Sequence, residues 1–248
     1  MKQTILAYFD TPFTCEGNAK IIAVEKDETG TDVIILDQTI FYPQGGGQPY
    51  DLGTIESKKA VFQVTSVRYK EGIVYHGGVV ISGLFKAGDE VICKVDIERR
   101  KLNSRLHSGG HLVSAALEQL GYFWEPHKGH HHPDGPYVEY KGTIELAEIE
   151  PLKKALEEKM AEIQKTDADV SFHIMTLEEL KRICRFVPPY IPKDKPSRAA
   201  IFHMTPEHGG DMAIPCGGTH VARLSEIGPI IIPKIKCKEG IIKISYRL

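Results

Sequence analysis

Two short segments about a hundred residues apart constrain this chain more than anything else in it. His107-Ser108-Gly109-Gly110-His111 and Cys216-Gly217-Gly218-Thr219-His220 each carry two metal-ligating side chains four residues apart. Histidines at i and i+4 project from one face of a helix, at a separation one ion can bridge. A thiolate and a third imidazole at the same spacing complete a tetrahedral set of three nitrogens and one sulfur, which zinc favours. A single such pair arises by chance. Two pairs, one containing Cys, predict that His107, His111, Cys216 and His220 hold one Zn2+ per chain.

The same residues exclude a metalloprotease of the His-Glu-x-x-His kind. Such a site needs Glu directly after the first His as general base, and Ser108 stands there instead. Four protein ligands make a closed site, so a catalytic role needs one loose ligand or an indirect action of the metal. The residues leave open which ligand that is.

Organisation along the chain follows from periodicity. Up to about residue 95 the chain reads as short strands punctuated by Gly and Asp: Val33 to Leu36, Val61 to Tyr69, Ile73 to Ile81 and Glu90 to Val95. With no helix to interrupt them, these strands predict a small β-barrel over 1–95. The pattern changes at Asp96. Ile97 to Leu120 suits one long helix, with Leu102, Leu106, Leu112 and Ala116 among its apolar positions and Gly121 just past its end.

A strand over 136–140 and a helix over 151–165 with Pro at its first turn come next. A strand over 168–175 then leads to a short helix over 177–184, capped by Thr176 and Glu179. Further strands fall at about 199–204, 229–232 and 241–246, after a loop with four prolines between Val187 and Pro196. Helices and strands do not alternate regularly, so residues 96–248 read as α+β with a mainly antiparallel sheet. The tract His127 to His132 sits beside Gly129, Pro133, Asp134 and Gly135 and reads as an exposed turn. Its consecutive histidines point in different directions, which argues against a second metal site there.

A chain of 248 residues with 42% hydrophobic composition can bury a full core. Its formal net charge of −2 announces no nucleic acid, so any RNA contact must come from local patches. Arg99, Arg100, Lys101 and Arg105 form one candidate; Lys234, Lys236, Lys238, Lys243 and Arg247 form another. The odd count of five Cys and the lack of a secretory apolar run point to a reducing cytoplasm, with Cys216 a ligand and Cys15, Cys93, Cys184 and Cys237 structural thiols. No stretch is apolar for the ~18 residues a membrane helix needs.

Arg105 to Leu112, Pro215 to Val221 and the upstream Phe41-Tyr42-Pro43-Gln44-Gly45-Gly46-Gly47-Gln48-Pro49 together resemble the editing domain of alanyl-tRNA synthetases and its free-standing AlaX relatives. The likeness runs through nearly the whole chain and matches the medium-sized AlaX class. It implies a Gly-rich barrel domain at 1–95 and a zinc-containing α+β editing domain at 96–248. It implies hydrolysis, in trans, of tRNA(Ala) wrongly charged with Ser or Gly; the sequence leaves open whether the chain is a monomer or a homodimer. On this resemblance Thr39 aligns with a threonine that recognises the misplaced serine. A group that needs the substrate hydroxyl can discriminate by about 10⁴, because its absence leaves a buried polar partner unpaired.

Glycines 45, 46 and 47 would let backbone N–H groups approach the ribose or phosphates of a tRNA 3′ end, and Gln48 could orient water or the substrate amine. An aminoacyl ester is already activated, so orientation alone can suffice and no side-chain nucleophile is required. Two other readings fit the same residues: a zinc-stabilised tRNA-binding module without activity, and a threonyl-type editor acting on Ser-tRNA(Thr). The Gly-rich N-terminal half argues against the latter.

Overall fold

The computed structural model describes residues 2–10 and 12–248. The strands are β1 (Ile5–Leu6), β2 (Glu16–Lys26), β3 (Asp32–Leu36), β4 (Gln38–Thr39), β5 (Gly53–Glu56), β6 (Val61–Lys70), β7 (Ile73–Ser82) and β8 (Glu90–Val95). After helix α1 (Ile97–Gln119) come β9 (Glu125–His130), β10 (Tyr137–Lys141), α2 (Leu146–Lys165), β11 (Val170–Met175) and α3 (Leu177–Ile183). The chain closes with β12 (Ser197–Phe202), β13 (Met212–Pro215), β14 (Ile231–Lys238) and β15 (Ile241–Arg247). The chain divides into two compact units, residues 1–102 and 103–248, with the division inside the first turns of α1.

The first unit is a closed antiparallel barrel, β2-β3-β7-β6-β5-β8. Alternation along the strands sends Ile21, Ile34, Leu36, Phe62, Val64, Val74, Val91 and Cys93 into its interior. One polar side chain goes in with them. His76 on β7 is fully buried; its Nδ1 lies 3.0 Å from the Ile34 carbonyl and its Nε2 2.8 Å from Thr39 Oγ1. A carbonyl can only accept, so Nδ1 carries the proton, and the Thr39 hydroxyl donates to Nε2 while it accepts from Phe41 N–H at 3.0 Å.

A buried ion pair locks the same unit. The Arg100 guanidinium meets the Asp51 carboxylate, both fully buried, and donates also to the carbonyls of Pro12 (2.7 Å) and Ile40 (2.6 Å). Asp51 accepts in addition from Tyr42 N–H at 2.6 Å. Every charge-bearing atom is thus compensated, the condition under which a buried pair is tolerated. Arg100 was expected among the tRNA-contacting residues; its guanidinium is instead an interior group whose donors are already spent.

The second unit carries two antiparallel sheets, β14-β15-β10-β9 and β11-β12-β13. Its core joins Leu106, Leu112, Val113 and Leu117 of α1 to Leu152, Leu156, Met160 and Ile163 of α2, and to Val138, Ile242, Ile244 and Tyr246 of the larger sheet. The architecture is therefore α+β with antiparallel sheets, as the periodicity predicts. α2 begins five residues earlier than expected, at Leu146, with Pro151 inside it; the Glu148 carboxylate accepts from Glu145 N–H at 3.1 Å and caps an additional turn ahead of the proline. The histidine tract is not an exposed turn: residues 125–130 pair with β10 as an edge strand, and His131 is buried. The adjacent glycine and prolines suggested a turn, but pairing with Tyr137 to Lys141 overrides local propensity.

Burial holds the His76 pKa down to about 4, against 6.5 for a free imidazole. Between those values the unfolded chain binds a proton that the folded chain refuses, so His76 subtracts from stability as the pH falls from about 6.5 toward 4, by up to about 3 kcal/mol. The variant His76→Phe should therefore lose less stability than the parent between pH 7 and pH 5 in urea unfolding. Parallel losses would show that His76 does not contribute to the acid sensitivity.

Candidate metal centre

The centre is built on the helix and on the segment after β13, both within the second unit. On α1, His107 and His111 stand one turn apart with ring centroids at 4.9 Å. Cys216 and His220 arrive from the turn that follows β13. The four side chains place one ligating atom each within 4.8 Å of one another. Cys216 Sγ lies 3.4 Å from His107 Nε2 and 3.3 Å from His220 Nε2. Tetrahedral bonds of about 2.0–2.3 Å put neighbouring ligand atoms roughly 3.3–3.8 Å apart, so these two edges already have the spacing one ion imposes.

Two observations test the fit of a metal. His111 Nε2 is buried and has no hydrogen-bond partner among the described residues, a costly state for a ring nitrogen unless an ion takes its lone pair. All three imidazoles are also held in the neutral form that ligates. Burial, then the neighbouring imidazoles, press His107 and His220 well below the ordinary value, and burial alone brings His111 to about 4. For Cys216, burial pushes the thiol up, while the Gly218 N–H at 3.4 Å and the Arg198 guanidinium favour the thiolate. The residues present fit a divalent metal of tetrahedral habit.

Further side chains fix these ligands. Ser108 Oγ lies 3.2 Å from His220 Nδ1 and accepts from Val221 N–H at 3.2 Å. It therefore steers His220 so that Nε2 faces Cys216, the outer-shell role that ligand histidines usually assign to a carboxylate or carbonyl. Ser104 Oγ is 2.7 Å from Thr219 Oγ1. Arg198 on β12 is buried; its Nη1 donates to Gly218 O at 2.6 Å and its guanidinium lies 3.8 Å from the Phe172 ring centre. Phe172 in turn stacks on His220, with centroids 5.9 Å apart.

His131 completes the wall. Its ring stacks on His107 at 4.5 Å, and its Nδ1 is 2.6 Å from the Tyr246 hydroxyl. That hydroxyl donates to Leu106 O at 2.8 Å, so it must accept from His131, which places the His131 proton on Nδ1. Gly110 has a reason to be glycine: a Cβ there would stand 2.4 Å from His131 Cε1. Gly109 faces Ile230, Tyr246 and Ile227 at ordinary contact distance. The glycine pair inside the helix makes room for a ring on one side and core on the other.

The remaining predicted site residues belong to the barrel unit or lie beside the centre on α1. Gly45 and Gln48 close a tight hairpin through paired backbone bonds of 3.2 and 2.9 Å, with Gly46 (φ 55°) and Gly47 (φ 81°) at the left-handed positions. Gln48 is buried. Thr39 is buried with its hydroxyl engaged as described. Arg99 donates to Tyr50 O at 3.1 Å and stays partly exposed; Arg105, in the second unit, donates to Ile227 O at 3.1 Å and is partly exposed as well. A second cluster, His130, His132 and Asp134, also gathers ligating atoms. Its two imidazoles stack face to face, 4.2 Å apart and 2° from parallel. Imidazole lone pairs lie in the ring plane, so two parallel stacked rings do not converge on one ion.

Sequence reasoning missed Ser104, Arg198, His131 and Tyr246. A small hydroxyl at each of 104 and 108, in register with the ligands, was the available signal for the serine; Arg198 is a lone charge heading the apolar run Ala199 to Phe202. Nothing in the local pattern distinguishes His131 from its neighbours.

The family model for tRNA synthetases class II (A) matches residues 8–99. The alanyl-tRNA editing protein AlaX-L of Pyrococcus horikoshii is 29% identical over 223 residues, which cover 90% of this chain and 52% of that protein. The alanine–tRNA ligase of Korarchaeum cryptofilum is 29% identical over 255 residues, covering 98% of this chain and 26% of the ligase. That of Pyrococcus abyssi is 38% identical over 120 residues, covering 48% of this chain and 12% of the ligase. The chain thus spans about half the length of the first relative and about a quarter or less of the ligases. The chain is thus similar to an alanyl-tRNA editing protein over most of its length and to a segment of the alanine–tRNA ligases, in line with the resemblance read from the His107 and Cys216 motifs.

Proposed function

We propose that the chain is an aminoacyl-tRNA deacylase that removes serine, and also glycine, from tRNA(Ala) in trans, with one zinc ion in the His107, His111, Cys216 and His220 set. The observation that carries the reading is that buried set of three neutral imidazoles and one thiol, in a chain related to alanyl-tRNA editing proteins. Sulfur among the donors and the tetrahedral spacing favour zinc over magnesium or calcium, which prefer oxygen.

In the reaction, water adds to the acyl carbon of the ester. The bond from that carbon to the ribose oxygen then breaks, releasing free amino acid and tRNA. Bound zinc would supply Lewis acidity beside the ester carbonyl. The chain's own residues provide a water-poor site and hold its histidines neutral, with Ser108 and Arg198 fixing the Cys216–His220 turn. Ser104 and Ser108 serve on this reading to tie the helix to the Cys216–His220 segment, each hydroxyl bonding across to it. On this reading the Gly45–Gly47 turn and Gln48 receive the 3′ end of the tRNA, Thr39 contributes to serine recognition, and the reaction proceeds in the cytoplasm without a membrane.

Purified protein should contain about one zinc per chain by elemental analysis, and Cys216→Ala combined with His220→Ala should lose most of it. Retention of full stoichiometry by the double variant would remove these residues from the site.

Deacylation of Ser-, Gly- and Ala-tRNA(Ala), with and without chelator, tests the activity itself. Cleavage of the serine and glycine esters and sparing of the alanine ester is expected. Protection of all three would make the chain a tRNA-binding module, and cleavage of Ser-tRNA(Thr) in preference would make it a threonyl-type editor. Thr39→Val should lower activity on the serine ester more than on the glycine ester; equal losses would confine Thr39 to its bond with His76.

Arg99→Ala with Arg105→Ala should weaken tRNA binding and flatten the slope of log affinity against log salt by about 1.5, at 0.7–0.9 per phosphate contact. Arg100→Ala should act differently, lowering stability by about 3–5 kcal/mol through the stranded Asp51. An unchanged slope in the double variant would take these arginines off the tRNA path.

A further inference from the structure

Asn103 stands one turn before His107 on α1, so Asn103, His107 and His111 follow one another along a single face of the helix. Its side chain is fully buried, yet neither Nδ2 nor Oδ1 has a hydrogen-bond partner among the described residues. Its neighbours along this stretch are engaged: Ser104 with Thr219, Ser108 with His220 and Val221, and Arg105 with Ile227. An unmade bond on a buried polar group costs about 1–3 kcal/mol, and an amide leaves both a donor and an acceptor unmet. An apolar side chain of the same branched outline, such as leucine, would leave no polar group unmet at this position. The helix therefore carries a penalty beside the centre that folding does not require.

We propose that Asn103 is a substrate-binding residue for the aminoacyl end of the RNA, its Oδ1 accepting from the α-ammonium group and its Nδ2 donating to the ester carbonyl oxygen. The inference rests on the deacylase reading given above. A primary amide offers one acceptor and two donors on a rigid plane without a charge. An α-amino ester offers a donor and an acceptor on adjacent carbons, the complement of that plane. A carboxylate in the same place would compete for the metal, and a hydroxyl could not reach both groups. Because ammonium and carbonyl are common to every aminoacyl ester, Asn103 grips the part of the substrate that serine and glycine share and leaves discrimination to other residues.

Asn103→Leu in the full chain tests this. The expected result is unchanged metal content, a Tm equal to or above that of the parent, and kcat/KM reduced by the same factor for the serine and glycine esters, on the order of 10². A rise in stability alongside a loss of activity is the signature of a polar group kept for substrate; a packing residue would move both downward. If the leucine variant does not fold, Asn103→Ala is read by metal content and kinetics, with the same expectation. If the parent cleaves both esters and either variant keeps parental kcat/KM, or loses activity together with its metal, or the leucine variant loses activity with a lowered Tm, Asn103 has no role in binding. If the parent cleaves neither ester, the deacylase reading itself fails and takes this inference with it.

Discussion

The second unit depends on one contact: a face of α1 against the segment Cys216 to His220. Ser104 and Ser108 are themselves i, i+4 partners, and each reaches a residue of the ligand turn, Thr219 and His220. The ligand pairs and the serine pair are thus two parallel rows across one junction. The rows are short-ranged in each segment and more than a hundred residues apart between them, so they form only when the sheets beneath are complete. Tyr246, at the end of the last strand, closes the same junction from the other side by bonding Leu106 O and His131.

Electrostatically the two units solve one problem in different ways. In the barrel, Arg100 and Asp51 are buried as charges because the guanidinium and carboxylate, with backbone groups, satisfy each other completely. In the second unit His107 and His220 are buried as neutral rings, since burial and the neighbouring imidazoles disfavour their protons. An uncharged cluster with inward-facing nitrogens is a site prepared for a cation to enter. A charged pair that is already matched is not, which is why an arginine in the first turn of the same helix turns out to be architecture.

Much of the fold was legible because its signals are local. The period of α1, the strands at 61–69 and 73–81 and the Thr176–Glu179 cap each depend on residues within a few positions of one another. What escaped depends on distant partners. The edge strand at 125–130 carries a histidine-rich, glycine-containing sequence with poor strand propensity and exists because β10 pairs with it. The strand Met212–Pro215 is four residues long and is made by β12 beside it. Likewise the early start of α2 comes from a carboxylate cap that outweighs the proline five residues on.

By itself the sequence singled out His107, His111, Cys216 and His220 as one set, the barrel before the helix and the likeness to alanyl-tRNA editing proteins, since residue type and spacing carry all three. Tertiary structure alone decided which polar groups are free to act. Arg100 read as surface chemistry in one dimension, but a guanidinium turned toward Asp51 is spent inside the barrel, and Thr39 lies bonded to His76 there. His131 looked like one histidine of a loop and is a wall of the centre; Asn103 lies in the ordinary run of the helix and is a buried amide with no hydrogen-bond partner among the described residues. The reason is physical: the capacity to donate or accept belongs to the residue, while its satisfaction belongs to neighbours that only the folded chain supplies.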